Sequence, residues 1–327
     1  MSEWNPDEVL LRVEHLKKYF PAANDRLGSR AGAVRAVDDV SLTLRRGETL
    51  GLVGESGSGK STLAKTILRL YPKTDGNVYF EGREVFGLSR RELQAARTRI
   101  QYIFQDPYSS LNPRMRVGEA IAEPLAQHFP EQKAGVSARV ETALQTCGLS
   151  PRYGERFPHQ FSGGQRQRAV IARAFALRPE LVVADEPVSA LDVSIQAQII
   201  NLFSDLQEKL GVAYLFISHD LSIVSHLCSR TAIMYLGQIV ESAPTDEVFT
   251  HPLHPYTRAL ISAIPVPDPT RRPHRIVLKG DIPNPADPPK GCRFHTRCPF
   301  ATPRCREEVP ALRDMGGGHM AACHLAG

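Results

Sequence analysis

The chain has 327 residues, is 42% hydrophobic and 23% charged, and carries a formal net charge of +5. That is globular composition, long enough for a full α/β domain plus a smaller one. No apolar run approaches the ~20 residues of a membrane helix, and the polar, acidic start Met-Ser-Glu-Trp-Asn-Pro-Asp-Glu is unlike a secretory signal. The expectation is a cytoplasmic protein that reaches a membrane only through a partner. Basic residues are scattered apart from the run Arg271 to Arg275, which reads as a solvated loop without aromatic platforms, so no nucleic-acid partner is expected.

Val9, Leu11 and Val13 alternate with other residues, as do Val40, Leu42 and Leu44, predicting strands of a half-buried antiparallel sheet. A polar loop is expected from Pro21 to Gly32, after the aromatic pair Tyr19 and Phe20, either of which offers a flat face to an adenine ring. Thr49 to Val53 is a short apolar run, read as a buried strand. It leads into Gly54-Glu55-Ser56-Gly57-Ser58-Gly59-Lys60-Ser61, followed by Thr62 and a helix with Leu63, Ile67 and Leu70 on one face. Glycines let successive N–H groups turn toward anionic oxygens, and a helix N-terminus adds more of them. In such a loop Lys60 reaches the β- and γ-phosphates and the Ser61 hydroxyl ligates Mg²⁺.

Val78 and Phe80 lead into a Glu81-Gly82 hairpin turn, and Ile100, Tyr102 and Phe104 form a strand ending at Gln105. From about 106 to 160 helical periodicity (Val117, Ile121, Leu125; Val140, Leu144), broken by prolines, predicts a helical insertion. Ser162 is an apt N-cap for a helix opened by Gly163, Gly164 and Gln165, giving a second helix start suited to phosphate. Leu181 to Ala184 is a buried parallel strand ending in Asp185-Glu186; Ser189 to Asp192 follows. Ala213 to Ile217 is another, ending in Ser218-His219. A strand pair is expected around Gly237. Beyond about Glu241 order is expected to weaken, and the prolines from Pro265 to Pro289 predict an extended, poorly helical segment.

A strand-end Asp beside a phosphate loop holds Mg²⁺, and the Glu after it can deprotonate an attacking water. Asp185 and Glu186 fit those roles. Gln105 as a further metal ligand and His219 as a γ-phosphate partner complete the catalytic set. In this order the motifs resemble those of an ATP-binding cassette (ABC) ATPase: Gly54 to Ser61 is similar to Walker A, Leu181 to Glu186 to Walker B, Gln105 to the Q-loop, Ser189 to Asp192 to the D-loop and His219 to the H-loop. Phe161-Ser-Gly-Gly-Gln165 resembles the LSGGQ signature with Phe for Leu, and Phe20 the aromatic A-loop position, with Tyr19 as its fallback. The resemblance implies a mostly parallel core sheet, an antiparallel β subdomain and a helical subdomain. It also implies two ATP molecules at a head-to-tail dimer interface, so that Ser162, Gly163, Gly164 and Gln165 serve the site in trans.

His254-Pro-Tyr-Thr257, the proline-rich stretch and the trailing cysteines resemble the extension of oligopeptide/dipeptide importer ATPases, in particular the second, "F"-type subunit. Domains of 8–250 and 251–327 follow. The implied partners are a second homologous ATPase, two membrane permease subunits and, indirectly, a substrate-binding protein, at the cytoplasmic face of a bacterial inner membrane. Nickel or glutathione is an alternative cargo, and a soluble ABC ATPase acting on ribosomes or DNA is the rival class. Cys147 and Cys228 read as core residues. Cys292, Cys298, Cys305 and Cys323 are spaced C-x5-C-x6-C-x17-C, without the tight pairs of zinc ribbons. A metal, zinc included, and unliganded thiols both remain open on spacing alone; the resemblance implies a 4Fe-4S cluster.

Overall fold

The computed structural model describes residues 8–21, 33–265 and 275–326. Most of the expected Pro21 to Gly32 loop, and Arg271 to His274 of the basic run, lie outside the described residues. The fold is mixed α/β and its described residues divide into two compact units: 8–10, 44–49 and 87–217 form one, and the described parts of 11–43, 50–86 and 218–326 the other.

In the first unit, Ile100–Ile103, Leu181–Asp185 and Ala213–Ser218 run parallel, with Ile103 opposite Ala184 and Ala184 opposite Phe216. Leu181–Asp185 and Ala213–Ser218 are buried at every position, which explains their unbroken apolar sequence: a parallel strand covered on both faces has no solvent side to alternate with. The expected helical insertion is present as Val117–His128 and Val136–Thr146, which pack against each other and against Gly163–Phe175. Val117, Ile121, Leu125 and Leu144 are fully buried, so the helical periodicity marks the packed face.

The second unit holds two sheet segments. Thr49–Val53 runs parallel to Arg230–Tyr235, with Val53 opposite Ile233. The chain then turns at Leu236-Gly237, and Gln238–Pro244 returns antiparallel. Met320–Ala321 adds to the outer edge of Gln238–Pro244, and Arg313–Asp314 to Met320–Ala321. A four-stranded sheet has the order Val34–Arg45, Val9–Phe20, Asp75–Phe80, Arg83–Glu84. Val9–Phe20 pairs antiparallel with Asp75–Phe80 and bulges between Glu14 and Lys17. His15 takes a positive φ there, and Gly76 passes so close that a Cβ would lie 2.3 Å from the His15 carbonyl oxygen.

The expected loss of order directly beyond Glu241 is corrected, whereas 275–289, in the proline-rich stretch, carries neither helix nor strand, as expected. Thr245–Thr250 and Pro255–Ser262 are helices. The second starts with Pro255, whose missing N–H costs nothing in a first turn, and His254 caps it by accepting the Tyr256 N–H at 3.1 Å.

Candidate functional site

The phosphate loop lies in the second unit. Three glycines have separate reasons to be glycine. Gly54 runs against the next strand, where a Cβ would lie 2.2 Å from the Met234 carbonyl oxygen; Gly57 has φ +80°; Gly59 has φ +107° and leaves 2.0 Å between a Cβ and the Ala36 oxygen. The helix Lys60–Ile67 begins at Gly59 with no side-chain cap and no acidic residue in its first turn. An uncapped, non-acidic first turn is an arrangement that favours an anion. Lys60 is buried, and its ammonium donates to the carbonyls of Gly54 at 2.7 Å and Glu55 at 3.0 Å. The Gly237 N–H donates to the Ser58 carbonyl at 2.8 Å, pinning the loop to the turn between two strands.

The aromatic candidates are in this unit too. Phe20 meets Tyr71 edge-on at 5.6 Å, with the Lys18 ammonium 4.6 Å from its ring centre. Tyr19 is engaged elsewhere. Its hydroxyl donates to Asp38, and burial first, then that carboxylate, pushes its pKa up to about 12. His219 follows the strand Ala213–Ser218 and is exposed.

The first unit carries the carboxylates. Asp185 ends its strand almost fully buried and accepts the Tyr102 hydroxyl at 2.5 Å. Glu186 has φ +48°, a conformation that costs a non-glycine residue about 1–3 kcal/mol and persists only where neighbours enforce it. They do: its N–H donates to the Ile217 carbonyl at 3.0 Å and its carbonyl accepts the Ser189 hydroxyl at 3.1 Å. Its carboxylate accepts the Gln105 side-chain amide at 3.0 Å, so Gln105 and Glu186, 81 positions apart, are brought together. With its nitrogen committed there, the Gln105 amide oxygen is the atom a cation would use.

Ser162 caps Gly163–Phe175 through a reciprocal box: its hydroxyl accepts the Gln165 N–H at 3.3 Å, and the Gln165 side chain accepts the Ser162 N–H at 3.2 Å. Gly164 packs where a Cβ would lie 2.5 Å from Ile195, and Phe161 is buried edge-on to Tyr153. Asp192 stands at the N-cap of Val193–Leu210 without using its side chain there.

Cys147 and Cys228 are buried as expected, and burial pushes the Cys147 thiol up to about 12. The other four cysteines share one neighbourhood: charge on Cys305, Cys323 or Cys298 would bear on Cys292. Each sulfur has a polar partner. The N–H groups of Phe294, Phe300 and Leu325 donate toward Cys292, Cys298 and Cys323, and the Thr302 hydroxyl lies 3.3 Å from the Cys305 sulfur. Burial pushes the Cys292 thiol up to about 11. Among the described residues no three or more His, Cys, Asp or Glu side chains are drawn into a group that could hold a metal ion.

Residues the motifs do not announce complete the surroundings of the loop. Arg297 donates to both carboxylate oxygens of Glu55, at 2.7 and 3.1 Å, and the Tyr256 hydroxyl accepts the Glu55 N–H at 2.9 Å. Arg293 donates to Asp38 and to the Leu236 carbonyl. Tyr102 on Asp185 is likewise new; a tyrosine one strand over carries no spacing signature.

Comparison with known proteins agrees with this geometry. The ABC transporter family matches residues 37–189, and the family "Oligopeptide/dipeptide transporter, C-terminal region" matches residues 240–305. The oligopeptide transport ATP-binding protein AppF of Bacillus subtilis is 50% identical over 324 residues, covering 97% of this chain and 98% of AppF. A probable peptide ABC transporter ATP-binding protein, y4tS of Sinorhizobium fredii, is 51% identical over 318 residues, covering 97% of this chain and 90% of the relative. Among solved structures, the dimeric post-hydrolysis state of the ATP-binding cassette MJ0796 with ADP and Pi superposes with a TM-score of 0.63 at 27% identity, over 72% of this chain and 98% of that one. The cbiO1 subunit of the cbiONQ transporter complex from Clostridium perfringens gives 0.65 at 25% identity, over 75% and 92%.

Proposed function

The chain belongs to the ATP-binding proteins of the oligopeptide/dipeptide ABC transporters, and on that premise we propose that it is the MgATP-hydrolysing subunit that energises import of di- or oligopeptides. The observation that carries the reading is the uncapped, glycine-built loop Gly54 to Ser61 with Lys60 at its centre.

In this reading the loop N–H groups and Lys60 bind the phosphates, and Phe20 lies against the adenine. Ser61, Asp185 and Gln105 would hold Mg²⁺, whose charge offsets that of the β- and γ-phosphates. Glu186 takes a proton from the attacking water; its enforced backbone and the Gln105 amide fix the direction of the carboxylate. His219 orients the γ-phosphate. Ser162, Gly163, Gly164 and Gln165 face the nucleotide of a second ATPase, with Asp192 next in sequence to Leu191, which packs by Gly163. Residues 8–250 do this work, and 251–327 form the extension.

The decisive variant is Glu186→Gln. It should bind MgATP like the unmodified chain and lose turnover by roughly 10²–10⁴-fold; turnover near the original rate would remove Glu186 as the base. Among the described residues no helix is long and apolar enough to cross a membrane. We place the subunit at the cytoplasmic face of the inner membrane, beside two permeases and a partner ATPase. Affinity capture from membranes should recover them; capture of ribosomes or DNA instead would favour a different class.

Cys292, Cys298, Cys305 and Cys323 would hold a 4Fe-4S cluster. What supports this is the donor set, four thiols each with a polar partner, although as they stand the described side chains are not drawn into a metal-holding group. Bound iron would supply the positive charge that buried thiolates need. Anaerobic purification should give coloured, iron-containing protein, and colourless, iron-free, folded protein would end this part of the reading.

A further inference from the structure

The first variable residue of the phosphate loop is a carboxylate, which is an odd neighbour for a polyanion. The pairing of Glu55 with Arg297 is an answer to that. Both guanidinium Nη atoms reach Glu55, at 2.7 and 3.1 Å, in the forked geometry that only arginine provides. The Arg297 side chain is 8% exposed and the Glu55 side chain 28%, so the pair is largely withdrawn from solvent screening. The rest of Glu55 is held as well, with its N–H on Tyr256 and its carbonyl on Lys60.

Arg297 is itself fixed. It lies in the stretch Cys292 to Cys298, whose turns close through Cys292 O to His295 N and Phe294 O to Arg297 N, both at 3.0 Å. Phe294 anchors that stretch, 1% exposed, with its ring centre 5.3 Å from Tyr235 and 5.4 Å from Tyr256. Arg293 ties it to Asp38. The extension therefore delivers one positive charge to the phosphate loop from a rigid base.

We infer that Arg297 is a positioning residue of the nucleotide site: it neutralises Glu55 and fixes the start of the phosphate loop, so that affinity for a nucleoside triphosphate depends on the C-terminal cysteine segment. This rests on the reading of Gly54 to Ser61 as the phosphate cradle. Without Arg297, Glu55 places an uncompensated negative charge beside the bound phosphates, and the penalty should grow with the charge of the ligand.

The test is equilibrium binding of MgATP and of ADP to the purified full-length chain at low and high salt, for R297Q, E55Q/R297Q and K60A. R297Q should weaken MgATP binding by roughly 5–30-fold and weaken ADP binding less, at low and high salt alike, because the withdrawn Glu55 charge is little screened. E55Q/R297Q, which removes both charges, should return to within about threefold of the unmodified chain. A merely structural arginine would give a loss that ignores ligand charge and persists in the double variant, and that result overturns the inference. Unchanged affinity in R297Q with binding lost in K60A overturns it alone. Binding retained in K60A overturns the phosphate-loop reading, and the inference with it.

Discussion

The helices Lys60–Ile67 and Gly163–Phe175 both begin in glycine-rich sequence, yet their first turns are finished in opposite ways. The first has a left-handed glycine at its N-cap, no side-chain cap, and a lysine folded back onto its own loop's carbonyls. The second is closed by its own serine and glutamine, which exchange hydrogen bonds across the cap and leave the amides of Gly163 and Gly164 outside the box. An open turn with a cation behind it is built to hold an anion on its own. A self-capped turn is already stable without a ligand and can offer only what its box does not use. The same composition thus gives an open, anion-favouring helix start in one place and a self-closed one in the other.

Four substitutions press on that contrast. Lys60→Ala should have the largest effect, lowering MgATP affinity by at least about 10²-fold in equilibrium binding, since a charge-assisted contact to phosphate is lost; a fold-intact variant with unaltered affinity would erase the distinction. Gly59→Ala should come next. It forces a side chain into a left-handed, crowded position and should cost about 2–5 kcal/mol in denaturant unfolding.

A third helix start, His254 before Pro255–Ser262, is capped by an imidazole that burial first, and Arg258 second, hold down at about 3. The unfolded chain takes up the proton near pH 6.5 while the folded chain does not. Stability is therefore full above about 6.5 and falls as pH drops toward 3, with a slope from this residue approaching about 1.4 kcal/mol per pH unit. His254→Asn keeps an acceptor at the cap and should flatten the melting temperature against pH below 6.5. Ser162→Ala should be the mildest, about 1 kcal/mol in thermal unfolding. If it matched Gly59→Ala, the two helix starts would not differ in the way described.

Much of this was legible in the chain because the signals are local. A buried apolar run, a glycine loop and a helix follow one another within residues 49–67, and their geometry is fixed by neighbours in sequence. The helical insertion showed through its periodicity for the same reason. What was not legible depends on distance: Arg297 meets Glu55 across 242 positions, and Tyr102 meets Asp185 across 83, so only the folded topology selects them. The helix Pro255–Ser262 was hidden because proline, a breaker inside a helix, stands here at the start of one. Tyr19 and Phe20 look equivalent as aromatic faces until Asp38 claims the tyrosine hydroxyl.

The short strand Met320–Ala321 has a consequence out of proportion to its length. It lies along Gln238–Pro244, and the Ala322 N–H adds a bond to the Val240 carbonyl at 2.8 Å. A chain trimmed back to Thr250 would lay bare the main-chain groups of a strand carrying Ile239 and Val240, a ready template for pairing with another copy of itself. The tail covers an edge open to such pairing, and shortened forms should be recovered as aggregates rather than as smaller enzymes.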